Sequence, residues 1–257
     1  MGQLDGQTVI LTGAGSGIGR EAAVVCAREG ATLILTGRRE APLKETQALI
    51  EADGGSAHVR CCDLEDGDAA AAFGEACVTQ FGRIHVLVNN AGHSSKVRSA
   101  RYVSPEEWSS VFAVNVDGVF RLTQAVLPSM IEAGGGTVVT VGSMAAINAG
   151  LLGGAPYGAA KAAVWSLMRS INAEFRNHGV RACTILPAEV DTPILDNRPL
   201  PPDAEARATM MQPIDVANAI LFCAAMPART IVEQVTLWPT QARDVSEDIA
   251  AARATIQ

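Results

Sequence analysis

Tyr157 and Lys161 stand four residues apart in Tyr157-Gly-Ala-Ala-Lys161, a spacing that on a helix puts both side chains on one face, one turn from each other. An ammonium held beside a phenol favours the phenolate, so the tyrosine pKa is expected to fall from about 10 toward working pH. A tyrosine tuned in that way can act as a general acid or base. The same spacing also describes an ordinary amphipathic helix start. The pair gains meaning only with a second hydroxyl, a cofactor loop and a topology that joins them.

Two further residues fit such chemistry. Ser143 follows the β-branched run Thr137-Val-Val-Thr-Val141. That places a hydroxyl at the carboxyl end of a strand, where parallel sheets collect their ligands. Asn115 lies inside an otherwise apolar helical stretch carrying Trp108, Phe112 and Phe120. A buried amide is costly unless bonded, so Asn115 is either a satisfied core residue or a functional one.

The elements that must hold these residues alternate along the chain. Thr8-Val-Ile-Leu-Thr12 reads as a buried strand. It runs into Gly13-Ala-Gly-Ser16-Gly17-Ile18-Gly19 and then a helical pattern. Glycines between strand and helix let the backbone approach a pyrophosphate at the helix N-terminus, where N–H groups and the macrodipole favour negative charge. Thr32–Thr36 is the next strand, followed by Gly37-Arg38-Arg39. An acidic residue at that place would bond a ribose 2′-hydroxyl, whereas an arginine suits a 2′-phosphate. NADP(H) is therefore expected over NAD(H), with NAD(H) still possible.

Further strands are expected near 57–62, 85–88, 137–141, 180–186 and 234–237. Helices are expected near 40–53, 66–81, 104–128, 157–177 and 214–226. Strands alternating with helices imply right-handed βαβ units, so the fold class is α/β: a Rossmann-type doubly wound parallel sheet in three αβα layers with about seven strands. Residues 1–257 read as one domain. Residues 188–212, punctuated by Pro193, Pro199, Pro201 and Pro202 among apolar residues, read as a lid over a pocket.

Composition bounds the function. Hydrophobic residues make up 48% and charged residues 18% of 257, enough to fill a sizeable core. A net charge of −7 argues against a nucleic-acid partner. No apolar run approaches the ~20 residues that span a bilayer, and the first residues carry no signal-peptide core. Cys26, Cys61, Cys62, Cys77, Cys183 and Cys223 are scattered and read as reduced thiols of a cytoplasmic protein. The four histidines lack metal-ligand spacing, so no metal is expected.

Taken in order, Thr12-Gly-Ala-Gly-Ser-Gly-Ile-Gly19, Asn89-Asn-Ala-Gly92, Asn115, Ser143, Tyr157-x3-Lys161 and Pro187-x-x-Val190-x-Thr192-Pro193 resemble the short-chain dehydrogenase/reductase family in its single-domain form of roughly 250 residues. The resemblance covers nearly the whole chain. It implies a nicotinamide cofactor across the carboxyl edge of the sheet and a homotetramer or homodimer built on the long middle helices. It also implies that Tyr157 exchanges a proton with the substrate oxygen, that Lys161 lowers its pKa and bonds the nicotinamide ribose, that Ser143 holds the substrate oxygen, and that Asn115 kinks its helix and anchors a water.

By the same resemblance Gly13, Ser16, Gly17, Ile18 and Gly19 form the pyrophosphate turn, Arg38 and Arg39 meet the 2′-phosphate and adenine, and Asp63 and Leu64 flank the adenine. Asn90, Ala91 and Gly92 support the ribose side, and Pro187, Val190 and Thr192 face the carboxamide. The expected substrate pocket is His93, Ser94, Met144, Ile147, Leu151, Leu152, Glu189 and Leu195. The family's usual Pro-Gly is here Pro187-Ala188, and the Asp-Gly-Gly after the last strand is replaced by Trp238-Pro239-Thr240.

The function implied is interconversion of a secondary alcohol and its ketone or aldehyde by hydride transfer. The alternatives are an enzyme like a 3-oxoacyl carrier-protein reductase and a cofactor-binding sensor without turnover. Lys96, Arg98 and Arg101 could serve a carboxylate or an acidic carrier, but read as a solvated basic loop.

Overall fold

The computed structural model describes residues 1–255. Its centre is a seven-stranded sheet in the order β3-β2-β1-β4-β5-β6-β7, every neighbouring pair parallel. The strands are β1 (Thr8–Thr12), β2 (Thr32–Gly37), β3 (Ser56–Cys61), β4 (Val86–Asn89), β5 (Gly136–Val141), β6 (Val180–Pro187) and β7 (Gln234–Leu237). The central strands are buried on both faces because successive side chains alternate sides. Val9 and Leu11 of β1 enter the core on one side of the sheet, and Ile10 enters the core on the other.

The helices are α1 (Gly17–Arg28), α2 (Glu40–Ala52), α3 (Gly67–Phe81), α4 (Pro105–Phe112), α5 (Gly118–Glu132), α6 (Ala155–Phe175), α7 (Ala204–Ala208), α8 (Pro213–Ala225) and α9 (Ser246–Ala254). Capping residues explain several starts. Asp66 accepts from the Asp68 and Ala69 N–H groups at 3.0 Å each, and Ser104 accepts from Glu107 N–H at 3.2 Å ahead of Pro105.

The single middle helix expected over 104–128 is instead α4 and α5 joined by a π-turn, Ala113–Asp117. The proline does not end it: α5 continues through Pro128 to Glu132. A proline inside a helix removes one N–H and crowds one carbonyl, and the buried face of Leu122, Val126 and Met130 outweighs that loss. The terminal helix α9 was not foreseen. Its mean apolar signal is weak, and it is held by the ion contacts described below.

The strand order reverses between β1 and β4, and such a switch point opens a crevice at the carboxyl ends of the strands. Thr12, Asn89, Val141 and Pro187 all end there.

Candidate active site

The crevice begins at the glycine turn. Thr12 Oγ1 accepts from the Asn90 and Ala91 N–H groups at 2.9 Å each, and Asn90 Nδ2 donates to the Thr12 carbonyl at 2.9 Å. These bonds lock the ends of β1 and β4 together. Gly13 has φ +66°, and a Cβ there would lie 2.9 Å from Ala91 Cα, so only glycine fits. Ser16 precedes α1 in extended backbone and makes no side-chain cap. The first N–H groups of α1 therefore have no side-chain acceptor, the arrangement that suits a phosphate.

A cleft of about 380 Å³ runs over this turn, lined by Gly13, Ser16, Gly17 and Ile18. Arg38 and Arg39 stand at one end, Asp63 and Leu64 on its side, and Asn90, Ala91 and Gly92 along its floor. Gly19 is the exception. It is buried and does not line the cleft, and a Cβ there would lie 2.2 Å from the Gly13 carbonyl oxygen, so it permits close helix–strand packing. Arg38 and Arg39 are exposed, and neither forms an ion pair among the described residues.

The four chemistry-bearing residues converge beside this cleft. Lys161, buried in α6, donates from Nζ to the Val141 carbonyl at 2.9 Å and lies 5.5 Å from the Tyr157 ring centroid. Ser143 Oγ, just past β5, accepts from Ala145 N–H at 3.1 Å. Asn115 sits in the π-turn, and its Nδ2 donates to the His93 and Val111 carbonyls at 2.8 Å each. Its buried Oδ1 has no partner among the described residues. Gly92 fits between: a Cβ there would stand 2.6 Å from Asn115 Oδ1 and 3.3 Å from Lys161 Nζ. The question left by the sequence, core amide or functional amide, gets a mixed answer. One end is satisfied by the helix it distorts, and the other is free next to the lysine.

The expected fall of the Tyr157 pKa is not what the structure gives. Burial, the largest cause, pushes the phenol up; the Ser143 hydroxyl and the charges of Arg98 and Arg198 oppose it. Lys161 is itself pushed down to about 8 by burial. A lysine in a dry wall carries its charge reluctantly, so the principal opposing charges come from Arg198, which the sequence did not single out, and from Arg98, which it read as part of a solvated loop.

Beside Ser143 and Tyr157 opens a second cavity of about 430 Å³. Ser94, Met144, Leu152, Glu189 and Leu195 line it as expected, with Pro187, Val190 and Thr192. Three expected members do not. His93 faces the glycine-turn cleft, with its Nε2 3.0 Å from the Ser110 carbonyl. Ile147 is 43% exposed, and Leu151, half-buried, does not line the cavity. Ile18, Val141, Thr192 and Ile194 line both cavities, so the two communicate.

Comparison with known proteins agrees with this geometry. The short chain dehydrogenase family model matches residues 7–201. The chain belongs to that family. This dehydrogenase is 32% identical over 242 residues to a 3-oxoacyl-[acyl-carrier-protein] reductase of Thermotoga maritima, covering 91% of this chain and 96% of the relative. A metagenomic short-chain oxidoreductase solved in complex with NADP superposes with a TM-score of 0.81 at 31% identity, covering 93% and 100% of the two chains. A Burkholderia phymatum short-chain dehydrogenase/reductase in complex with NAD gives a TM-score of 0.80 at 28% identity, covering 92% and 90%. The dehydrogenase is thus an oxidoreductase of the family that acts on CH–OH groups.

The family match ends at residue 201, and part of the second cavity's wall lies beyond it, in Met210, Trp238 and Arg243. Glu189 accepts from Arg198 Nη1 at 2.7 Å and from Arg243 Nη2 and Nε at 2.8 and 2.9 Å. Arg243 also donates to both Asp248 oxygens at 2.8 and 3.0 Å. Burial alone would raise the Glu189 carboxyl, but bonds from Arg243 and Arg198 hold it below its ordinary value. Arg98, read from the sequence as part of a solvated basic loop, lines the cavity, and so do Arg198 and Arg243, which were missed. Their partners lie up to 54 residues away, and no local spacing announces them. The proline-rich 188–212 stretch does run over the cavity through Ile194, Leu195, Arg198 and Met210, tied back by the Val190–Met211 bridge.

Proposed function

We propose that this dehydrogenase interconverts a secondary alcohol and its ketone, or a primary alcohol and its aldehyde, with NADP(H), Tyr157 serving as general acid/base. The observation that carries the reading is the meeting of Ser143 and Tyr157 in a cavity that shares Ile18, Val141, Thr192 and Ile194 with the glycine-turn cleft. The uncapped start of α1, the exposed arginine pair and the free Asn115 Oδ1 fit a phosphate-bearing dinucleotide and an ordered polar partner. The cofactor, when bound, would supply or accept the hydride.

The chain's own residues do the rest. Ser143 Oγ donates to the substrate oxygen, and Tyr157 passes a proton to or from it. Such donors lower the cost of charge developing on that oxygen. Lys161, with a pKa near 8, exchanges protons readily at working pH and sits within one turn of Tyr157. Asn115 Oδ1 offers an acceptor for a relay water. Arg38 and Arg39 at the end of β2, with glycine at position 37, favour a 2′-phosphate over a bare ribose, while NAD(H) can still enter. A small-molecule substrate, a cytoplasmic setting and a homodimer or homotetramer through α5 and α6 complete the reading. A 3-oxoacyl carrier reductase is the nearest competing assignment, supported by the Thermotoga maritima relative.

The test is a panel of ketones, aldehydes, alcohols and a pantetheine thioester followed by NADPH absorbance, in wild type and Tyr157→Phe. Loss of the general acid should lower kcat by about 10²- to 10⁴-fold with cofactor affinity nearly intact. A variant that keeps more than half the wild-type rate would remove Tyr157 from the mechanism.

A further inference from the structure

The cavity beside Tyr157 holds a charge that alcohol–carbonyl interconversion does not itself require. Arg98 is 3% exposed and lies on the segment after β4, wedged against the start of α6. Ala155 N–H donates to its carbonyl at 2.9 Å, and a Cβ on Gly154 would meet its Cδ at 2.7 Å. Its Nη1 donates to Ser94 Oγ at 2.7 Å and to the Gly153 and Leu152 carbonyls at 2.6 and 3.3 Å. All three acceptors are neutral. The Nε is buried without an acceptor, and Nη2 donates to none among the described residues. Glu107, whose charge reaches Arg98, turns its carboxylate to the backbone N–H groups of Lys96 and Val97 instead.

The other charges around the cavity cancel. Arg198 and Arg243 face Glu189 and Asp248 in one connected group, two positive against two negative. Arg98 therefore brings the cavity a guanidinium with no ion pair, Glu107 acting on it only from a distance. A buried charge without a partner is costly, and such groups are normally paired. The bonds that tie the 92–104 segment to 150–154 use Nη1 alone and would be served by a neutral amide. They give no reason for a guanidinium. The Nε is closed off within the packing, so Nη2, which takes no acceptor among the described residues, is the nitrogen left to offer a charge-assisted bond to an oxyanion.

We propose that Arg98 receives the oxyanion of an anionic substrate, a small carbonyl or alcohol compound bearing a carboxylate or sulfonate a few carbons from the reacting carbon. This rests on the oxidoreductase reading above and narrows its substrate class. A cavity of about 430 Å³ holds a compound of that size. The exposed Lys96 and Arg101 take no part.

The experiment compares 4-oxobutanoate, its methyl ester and 3-oxopropanesulfonate as substrates with NADPH, in wild type, Arg98→Gln and Arg98→Lys. Ligand-observed NMR of butanoate against butyramide supplies a binding readout that needs no turnover. Wild type should favour an anion over the ester. In Arg98→Gln the ratio of kcat/KM for anion over ester should fall by about 10- to 150-fold, the range for a charge-assisted bond. The loss should appear mainly in KM, and Arg98→Lys should recover part of it. Butanoate binding should weaken in parallel, and the larger response of the two anions identifies the headgroup. Unchanged NADPH affinity in each variant reports an intact fold. If the wild type turns over the ester as well as both anions, or Arg98→Gln leaves the ratio unchanged, the anion site is overturned and the oxidoreductase reading stands. If no carbonyl is reduced but butanoate binding is lost in Arg98→Gln, the site holds and the reaction reading fails. If butanoate does not bind either, both fail.

Discussion

Replacing Gly37 by Asp and Arg38 by Ser should reverse the cofactor preference, and the structure sets the size of the effect. A Cβ at Gly37 would find Leu43 Cδ2 at 3.7 Å as its nearest neighbour, an ordinary contact, so the aspartate enters without strain. Arg38 is exposed and unpaired among the described residues, so its bond to a 2′-phosphate belongs at the weaker end of charge-assisted bonds, about 1.5 kcal/mol. The new carboxylate repels the same phosphate. Two charges about 4 Å apart interact by roughly 1 kcal/mol in water and roughly 4 near a protein surface, and an exposed cleft edge suggests about 2. The sum, about 3.5 kcal/mol, is a swing of roughly 300-fold in the ratio of kcat/KM for NADPH over NADH, at 1.4 kcal/mol per tenfold. The assay is steady-state kinetics with both cofactors on one substrate. NADPH affinity of the wild type should also weaken with salt, because the contact is solvent-exposed. A wild type that already prefers NADH, or a double variant that slows both cofactors equally, would refute the reasoning. Arg38 would then be a solvated residue at the start of α2.

Two other outcomes follow from single contacts. Lys161 has a folded pKa near 8 against an ordinary 10.5, so its buried ammonium penalises the fold fully below pH 8, and the penalty fades as pH rises toward 10.5. Lys161→Met should therefore be the more stable protein at pH 7 when cofactor is left out, by up to roughly 3 kcal/mol at 1.36 per unit; thermal melts across pH 7–10.5 should show that advantage shrinking, and a pH-independent difference would contradict it. Gly92→Ala drives a methyl group to 2.6 Å from Asn115 Oδ1 and 3.3 Å from Lys161 Nζ, so kcat should fall by more than tenfold while the circular dichroism spectrum stays that of wild type. Wild-type turnover in that variant would mean the lysine and the amide do not need their present spacing.

How much of this was legible in the sequence depends on how far apart the cooperating residues are. The buried runs at Thr8–Thr12, Thr32–Gly37 and Gly136–Val141 declared a parallel sheet because strands covered on both faces lack polar alternation. The glycine turn and the Tyr157–Lys161 pair could be read because each is a local pattern within one turn or one helix. Where the structure departs from a local pattern, something non-local decides it. Pro128 signals a helix end, yet the buried face of α5 carries the helix past it. Gly19 belongs to the glycine motif, but helix–strand packing takes it away from the cleft. His93 adjoins Gly92, and the Ser110 carbonyl across the loop holds its ring on the cofactor side.

Charge shows the division most clearly. Sequence alone made Lys96, Arg98 and Arg101 one basic loop with one fate, because composition cannot say which way a side chain turns. The tertiary structure leaves Lys96 and Arg101 in water and buries Arg98 against the start of α6. It also brings Arg243 and Asp248 from the far end of the chain onto Glu189. The chain's own spacing thus determined the fold class and the residues able to do chemistry. The electrostatics around Tyr157 were decided only where segments distant in sequence close over one cavity, since burial and pairing of a charge depend on neighbours that no local window contains.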